Sequence, residues 1–550
     1  MITGAQLRDA YISASNLIGN EKQKVDELNI FPVPDGDTGT NMSMTIASAA
    51  REVSRFEDGG IGQCAGIAAS ALLRGARGNS GVILSLLFRG FAKGLKDVTE
   101  AGGQQLADAL AIGVEAAYGA VMKPTEGTIL TVARVAAEEG KSAAVKGASA
   151  VEVWEAMCEG AHRALAATPE LLPVLKKAGV VDAGGKGLTL ILEGMLSVFQ
   201  KGIIIPSENV EEQQPEVSVK RAVAEWEGEI TFTYCTEFIV GRGDQKAEED
   251  AKNLRAYLES IGDCVVVVDD DEIIKVHVHT DEPGNALQEG LKYGQLLTVK
   301  IENMREQKRR AEEEAAAAKP EKQRLERAEP ENDVGFVAVS AGEGINGLFR
   351  DLGCDQIVSG GQTMNPSTED ILEAVQAVPA KTVYVLPNNK NIIMAAEQSV
   401  ELADRKVVVV PTRTIPQGLS AMLSFDPDRP QEENLLDMVR AAEHVSTGQV
   451  TFAARDSEYD GHRIKEGEII ALNNGKLTFS EKTPVKAVTK LAKTMIKKDS
   501  SFVTIIYGEG ITDEEAEEAR SVIASKAGDN VEVTMVNGGQ PIYYFILSVE

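Results

Sequence analysis

Paired cysteines, basic patches and long apolar runs are all missing from this sequence of 550 residues. Its five cysteines, at 64, 158, 235, 264 and 354, are odd in number and widely scattered. That excludes a disulfide framework and fits a reducing compartment. The net charge of -28, with no basic cluster of useful size, argues against nucleic acid and anionic membrane as partners. Small molecules and other proteins remain. No apolar stretch approaches the ~20 residues that would span a bilayer. The start, Met1-Ile-Thr-Gly-Ala-Gln-Leu-Arg-Asp9, has neither the basic residues nor the apolar run of a signal peptide. A cytoplasmic protein is expected. Histidine is scarce as well: of five, His162 alone falls in the first two hundred residues, so a histidine-based site is not expected there.

What is present is a concentration of acids and glycines in Asn29-Ile-Phe-Pro-Val-Pro-Asp-Gly-Asp-Thr-Gly-Thr-Asn41. Pro32 and Pro34 hold the approach extended, Gly36 and Gly39 permit a sharp turn, and Asp35 and Asp37 sit on that turn. The pattern Met42, Met44, Ile46, Ala47, Ala50 then predicts a helix. Two carboxylates beside the open N–H groups of a helix N-terminus make a place where an anionic phosphate and a hard cation can meet. An EF-hand is excluded, since its sixth position would be Thr40 instead of glycine and its twelfth Ile46 instead of glutamate. A plain Asp-Gly loop tip would not need two acids, two glycines and three small polar groups in succession.

Three more glycine-bearing turns lead into helices: Arg74-Gly-Ala-Arg-Gly-Asn-Ser-Gly81, Met122-Lys-Pro-Thr-Glu-Gly-Thr128 and Val181-Asp-Ala-Gly-Gly-Lys-Gly187, with the last helix expected from Leu188. None is a Walker A loop or a dinucleotide fingerprint. In a helical domain, several N-termini aimed at one end of a bundle would form a nucleotide pocket from backbone N–H groups. Gly90 and Gly103 read instead as close-packing points.

Length predicts three or four domains at ~150 residues each. Residues 1–205 read as one all-helical domain, followed by a polar linker from Ser207. Strand patterns at 229–238, 264–269 and 272–280, with a helix around 252–258, predict a small α+β domain over 226–303. Residues 304–332, dense in charge and alanine, read as a charged helix or tether. Apolar strands at 335–340, 382–386 and 406–410, each followed by a helical pattern, predict a parallel α/β domain over 333–550, with further strands near Ile469, Phe502 and Tyr543. In the middle domain, His277 and His279 lie two apart on a strand and share a face. Cys235, with water or Glu237 as a fourth ligand, would complete a zinc-type donor set if the strands pair; two solvated histidines are the alternative.

Together, Asp35-Gly-Asp-Thr-Gly-Thr-Asn41, Gly75-Ala-Arg-Gly-Asn-Ser-Gly81, Lys123-Pro-Thr-Glu-Gly-Thr128 and Val181-Asp-Ala-Gly-Gly-Lys-Gly187 resemble the nucleotide-binding domain of dihydroxyacetone kinases. The whole chain resembles the fatty acid kinase catalytic subunits, through Tyr234-Cys-Thr-Glu237, His277-Val-His-Thr-Asp-Glu-Pro-Gly284, Gly360-Gly-Gln-Thr-Met-Asn-Pro-Ser-Thr368, Leu386-Pro-Asn-Asn-Lys-Asn391 and Gly538-Gly-Gln-Pro541. The resemblance implies a multidomain protein: an all-α eight-helix barrel binding Mg-ATP, a small α+β middle domain with zinc on Cys235, His277 and His279, and an α/β DegV-like C-terminal domain. It implies phosphorylation of a fatty acid carried by a separate acyl-binding DegV-type protein, giving acyl phosphate for phospholipid synthesis, and a possible homodimer. Asp35 and Asp37 would hold magnesium. Where dihydroxyacetone kinases have a third acid, this chain offers Asn29, and where they carry a histidine it has Thr38.

The chemistry fits a carboxylate acceptor, which is ionised at neutral pH and needs no general base. Arg77 is the cation expected to face the developing charge, with Lys123 and Lys186 as alternatives. Thr38, Gly39, Thr40, Asn41, Gly78, Asn79, Ser80, Gly81, Lys123, Thr128, Asp182, Gly184, Gly185 and Lys186 are expected around the nucleotide. The polar loop Ser359 to Ser367 is expected to serve in docking the acyl-carrier protein or in dimerisation, with carboxylate binding or a simple turn as the alternatives. A dihydroxyacetone-type sugar kinase and a zinc-containing nucleotide-binding scaffold or regulator are the competing functions.

Overall fold

The computed structural model describes residues 1–29, 37–121, 123–208, 232–241, 250–269, 273–305, 325–361, 364–459, 462–528 and 530–550. These form two compact units, one made of residues 1–208 together with 325–550, the other of residues 209–324.

The N-terminal part of the first unit is a closed ring of long helices: α1 (Gly4–Asp26), α2 (Thr38–Val53), α3 (Ile61–Gly75), α4 (Gly78–Gly94), α5 (Gly103–Ala120), α6 (Ile129–Val145), α7 (Ala150–Leu171) and α9 (Ala183–Lys201), with the short α8 (Pro173–Ala178) before the last. Each long helix packs on the next, and α9 closes onto α1. The eight-helix barrel is therefore present. Glycines set its spacing: a Cβ on Gly90 would stand 2.5 Å from the Gly113 Cα of α5, and one on Gly194 2.5 Å from the Ala14 Cα of α1. Gly103 likewise packs on Val153. The interior carries a run of aromatic rings, Tyr11, Phe88, Phe91, Trp154 and Phe199, in successive tilted or edge contacts at 5.0 to 6.1 Å. No described helix is long and apolar enough to cross a membrane.

The C-terminal part of this unit has two sheets. The first is parallel, in the order β6 (Gln356–Ser359), β5 (Asn332–Ser340), β7 (Ala380–Leu386), β8 (Lys406–Val409). Its strands alternate with helices that include α13 (Thr368–Ala377) and α14 (Ile393–Leu402). The second has six strands in the order β13 (Lys476–Glu481), β12 (Ile469–Asn473), β9 (Ser446–Phe452), β16 (Phe545–Val549), β14 (Phe502–Tyr507), β15 (Glu532–Asn537). It is mostly antiparallel, with one parallel pair, β14 and β15. The expected parallel α/β pattern thus holds for the first sheet and not for the second. The strand expected near Tyr543 starts at Phe545.

The second unit is a four-stranded antiparallel sheet in the order β2 (Gly262–Asp269), β3 (Ile273–Thr280), β1 (Tyr234–Gly241), β4 (Gln295–Asn303). Helices α10 (Asp250–Ile261) and α11 (Pro283–Gly290) accompany it. Thr236, Phe238, Val240, Ile274, Val276 and Val278 are buried in alternation along β1 and β3, leaving Cys235, His277 and His279 on the other face. The charged segment expected at 304–332 lies mainly outside the described residues, as do most of the linker after Ser207 and the start of the strand expected at 229.

Candidate active site at one end of the helical ring

Each of the four turns delivers an N-cap residue, namely Asp37 for α2, Arg77 for α4, Thr128 for α6 and Asp182 for α9. The four helix starts lie together. A Cβ on Gly78 would stand 2.6 Å from the Asn41 side chain, one on Gly184 3.2 Å from the Ile129 Cβ, and one on Gly187 2.6 Å from the Met42 sulfur. The first N–H groups of a helix have no acceptor within it, so this end presents clustered donors. Asp35 lies outside the described residues.

The N-terminus of α2 is not open as expected. The α2 donors do not stand open beside the acids, because the Gly39 and Thr40 N–H groups donate to Asp26 Oδ1 at 2.6 and 3.2 Å, and the Thr40 hydroxyl to Asp26 Oδ2 at 2.7 Å. Asp26, in the last turn of α1, had no motif to single it out. Asn29 lies alongside, its Oδ1 accepting from the Thr38 hydroxyl at 2.9 Å and its amide donating to the Asp26 carbonyl. Arg455, in the C-terminal part of the unit, donates to the Glu27 carbonyl at 2.8 Å and reaches that of Asp26 at 3.4 Å.

The start of α9 also differs from expectation: the helix begins at Ala183, so Gly184, Gly185 and Gly187 lie within it. A Cβ on Gly185 would meet Val132 at 2.8 Å. Its N–H donates to Asp182 Oδ2 at 2.7 Å. Lys186 is half-buried, whereas Lys123 is exposed. Burial pushes the Asp182 carboxyl up to about 6, opposed by hydrogen bonds from Gly185 and Ile129. Folded chains then hold an extra proton between the ordinary carboxylate range and pH 6, so this group's stabilisation is complete at low pH and lost as pH rises through that window. Asn is an equally good N-cap. The Asp182→Asn protein is expected to show a shallower fall in stability from pH 4 to 7, by about 1–2 kcal/mol after solvent screening, in denaturant titrations. Parallel profiles for the two proteins would refute this.

Arg77 is turned towards the C-terminal part of the unit. Its Nη1 donates to the Asn365 carbonyl at 2.8 Å and lies 3.4 Å from Asp370 Oδ2. Arg77 and Ser367 form an antiparallel bridge, and the Thr368 N–H donates to the Ala76 carbonyl. Ala76, Val82 and Leu86 are buried in one cluster with Val339, Ile371, Ile392 and Ala396. Asn365 donates from Nδ2 to Asp37 Oδ2 at 2.7 Å, and Asn79 reaches Asn391 at 3.5 Å. The loop expected to dock a carrier protein or a second copy packs on the helical ring of its own chain; its Gln362 and Thr363 fall outside the described residues.

In the second unit, pairing of β1 with β3 sets Cys235 opposite His279 and Glu237 opposite His277. One ligand atom from each of Cys235, His277 and His279 lies within 4.8 Å of the others. His277 Nε2 and His279 Nε2 are 3.2 Å apart, and Glu237 meets His277 Nδ1 at 2.9 Å. Burial, then the neighbouring His277, pushes the His279 pKa down, which favours the neutral imidazole that a metal needs. A thiol and two imidazoles suit zinc. Asp263 and Cys264 form a second possible set with His279, which the sequence reading missed because Cys264 reaches it through a bulge in β2.

Three family models match in succession: a DAK2 domain over residues 32–197, the middle domain of the FakA-like fatty acid kinase proteins over 231–311, and the C-terminal domain of the same FakA-like proteins over 335–550. Protein YloV of Bacillus subtilis is 43% identical, with 100% of this chain and 99% of that protein covered. The uncharacterized protein SH1689 of Staphylococcus haemolyticus is 42% identical over the same shares. Among solved structures, the match to a Thermotoga maritima protein with fatty acid binding function covers 40% of this chain and 99% of that protein, at 14% identity and TM-score 0.32. The dihydroxyacetone kinase of C. freundii covers 44% of this chain and 54% of its own, at 16% identity and TM-score 0.30. With end-to-end relatives above 40% identity and three matched domains in order, the chain belongs to the FakA-like fatty acid kinase family.

Proposed function

We propose that this chain transfers the γ-phosphoryl group of ATP to the carboxylate of a fatty acid presented by a separate acyl-binding protein, yielding acyl phosphate for phospholipid synthesis. The observation that carries this reading is the gathering of four helix N-termini at one end of the ring, with Asp37 one of the four caps and no histidine among them. Phosphoryl transfer asks for positioning and charge neutralisation, and an ionised acceptor needs no base. His162 does not fill that role: it pairs with Glu193 at 2.7 Å and is exposed. Asp37, with Asp35 and Asn29 as further ligands, would hold magnesium, which would supply neutralisation of the phosphate charge. Helix α4 suits the phosphates, since the first N–H groups of Gly78, Asn79 and Ser80 have no acceptor within the helix. A dihydroxyacetone-type activity is disfavoured by Thr38, which offers neither a base nor covalent capture.

The test is acyl-phosphate formation from ATP, magnesium and oleate, with and without an acyl-binding protein and with dihydroxyacetone as control acceptor. Product that requires the carrier supports the proposal. Phosphorylated dihydroxyacetone would replace it with a sugar kinase, and nucleotide binding without transfer would favour a regulator.

We infer further that Cys235, His277 and His279 hold zinc, with Glu237 beside them. Cys235→Ala and His277→Ala proteins are each expected to lose most of their bound zinc in elemental analysis of the purified chain. Unchanged zinc in either would remove that residue from the site.

A further inference from the structure

The kinase end of the helical ring is not built from the ring alone. Asn365 is 4% exposed and sits 328 positions from Asp37, yet its Nδ2 lies 2.7 Å from Asp37 Oδ2. Several features fix it there. Gly361 turns the chain at φ +91, its N–H donating to the Met364 carbonyl. Ser367 caps α13 in a reciprocal pair with Asp370, at 3.1 and 2.8 Å. Asp370 in turn faces Arg77, whose guanidinium grips the Asn365 carbonyl. Gly78, at φ +58, leaves room for the carboxamides of both Asn41 and Asn365, since a Cβ there would stand 2.6 and 3.3 Å from them.

The charge arrangement is selective. A cation this close to Asp37 would cancel the charge that a metal needs, whereas an amide orients a carboxylate and leaves that charge in place. The nearby cation, Arg77, lies against Asp370. A donor that fixes a carboxylate's orientation from behind is the usual support of a metal ligand.

We propose that Asn365 is a positioning residue of the kinase site, holding one oxygen of Asp37 so that the carboxylate is oriented for the magnesium–nucleotide complex; the C-terminal domain thereby completes the site of the helical domain. This rests on the reading of Asp37 as a magnesium ligand.

The test is a magnesium titration of phosphoryl transfer at saturating ATP in the full chain. Asn365→Ala is expected to raise the half-saturating magnesium concentration roughly 10–100-fold and to recover most of its turnover at high magnesium. Asn365→Ser, too short to reach Asp37, should behave alike and serves if the alanine protein is unstable. Glu401→Ala, which removes the exposed partner of Arg89 on the same domain face, should leave the titration unchanged. Wild-type half-saturation in the Asn365 variants, a lower half-saturation, or a turnover loss that magnesium does not restore would each overturn the proposal. If Asp37→Asn itself keeps the wild-type magnesium dependence, the fault lies with the reading of Asp37.

Discussion

Replacing Asp37 by asparagine is expected to cut magnesium-dependent phosphoryl transfer roughly a thousandfold, about 4 kcal/mol of transition-state stabilisation, while leaving the fold intact. Both halves of that expectation follow from the position of the residue. Asp37 stands at the N-cap of α2, yet its side chain makes no cap hydrogen bond, because Asp26 receives the α2 donors. Removing the charge therefore costs the helix little, and asparagine is as good a cap residue as aspartate. The lost quantity is a full negative charge where a hard cation would bind beside partial positive charge from several helix N-termini. Turnover at saturating magnesium, with the thermal unfolding midpoint as a check on folding, decides the matter. A loss below tenfold with an unchanged midpoint would place the metal elsewhere.

The second large effect is expected far from the chemistry. Trp154 is fully buried in α7, with Phe91 of α4 at 6.1 Å and Phe199 of α9 at 5.0 Å, both edge-on. Its Nε1 donates to the Leu192 carbonyl at 3.0 Å. One side chain thus ties together three helices. Truncation to alanine removes the transferred apolar surface and leaves a cavity that the glycine-spaced helices cannot close, so a loss of about 3–5 kcal/mol is expected. For a domain of this size that is a fall of roughly 10 °C in the midpoint of the helical domain's unfolding. Trp154→Phe should lose less than half as much, since it keeps the aromatic contacts and gives up the indole and one hydrogen bond. Equal losses from both would mean that the hydrogen bond, not the packing, is the larger contribution.

Much of the helical domain was legible because its signals are local. The caps Asp37, Arg77, Thr128 and Asp182 all stand in turns that the sequence marks with glycine and small polar residues. The same cue misled at α9, where Gly185 and Gly187 serve close packing against Val132 and Met42 inside the helix instead of a loop before it. Nothing local distinguishes Asp26 from the other charged residues at the end of α1; its role appears only when α2 folds back over it. The face shared by Cys235, His277 and His279 was readable from period two plus the pairing of β1 with β3. The second sheet was not, since β16 lies between β9 and β14 and no periodicity encodes which strands neighbour one another. Arg77 shows the remaining limit. A cation in a glycine-rich turn suggests phosphate, and Asp370, 293 positions later, could not be foreseen as its partner.

The hydrogen bond from Asn365 to Asp37 also has a meaning in time. The ribosome releases Asp37 and the rest of the helical ring long before it reaches a residue 328 positions downstream. The ring ends at Lys201, and at ~5–20 residues per second the completed ring waits roughly 8–33 s for the side chain that meets its acid. During that interval a folded ring and a finished site are different things, and a chain halted within the second unit would carry the first without the second.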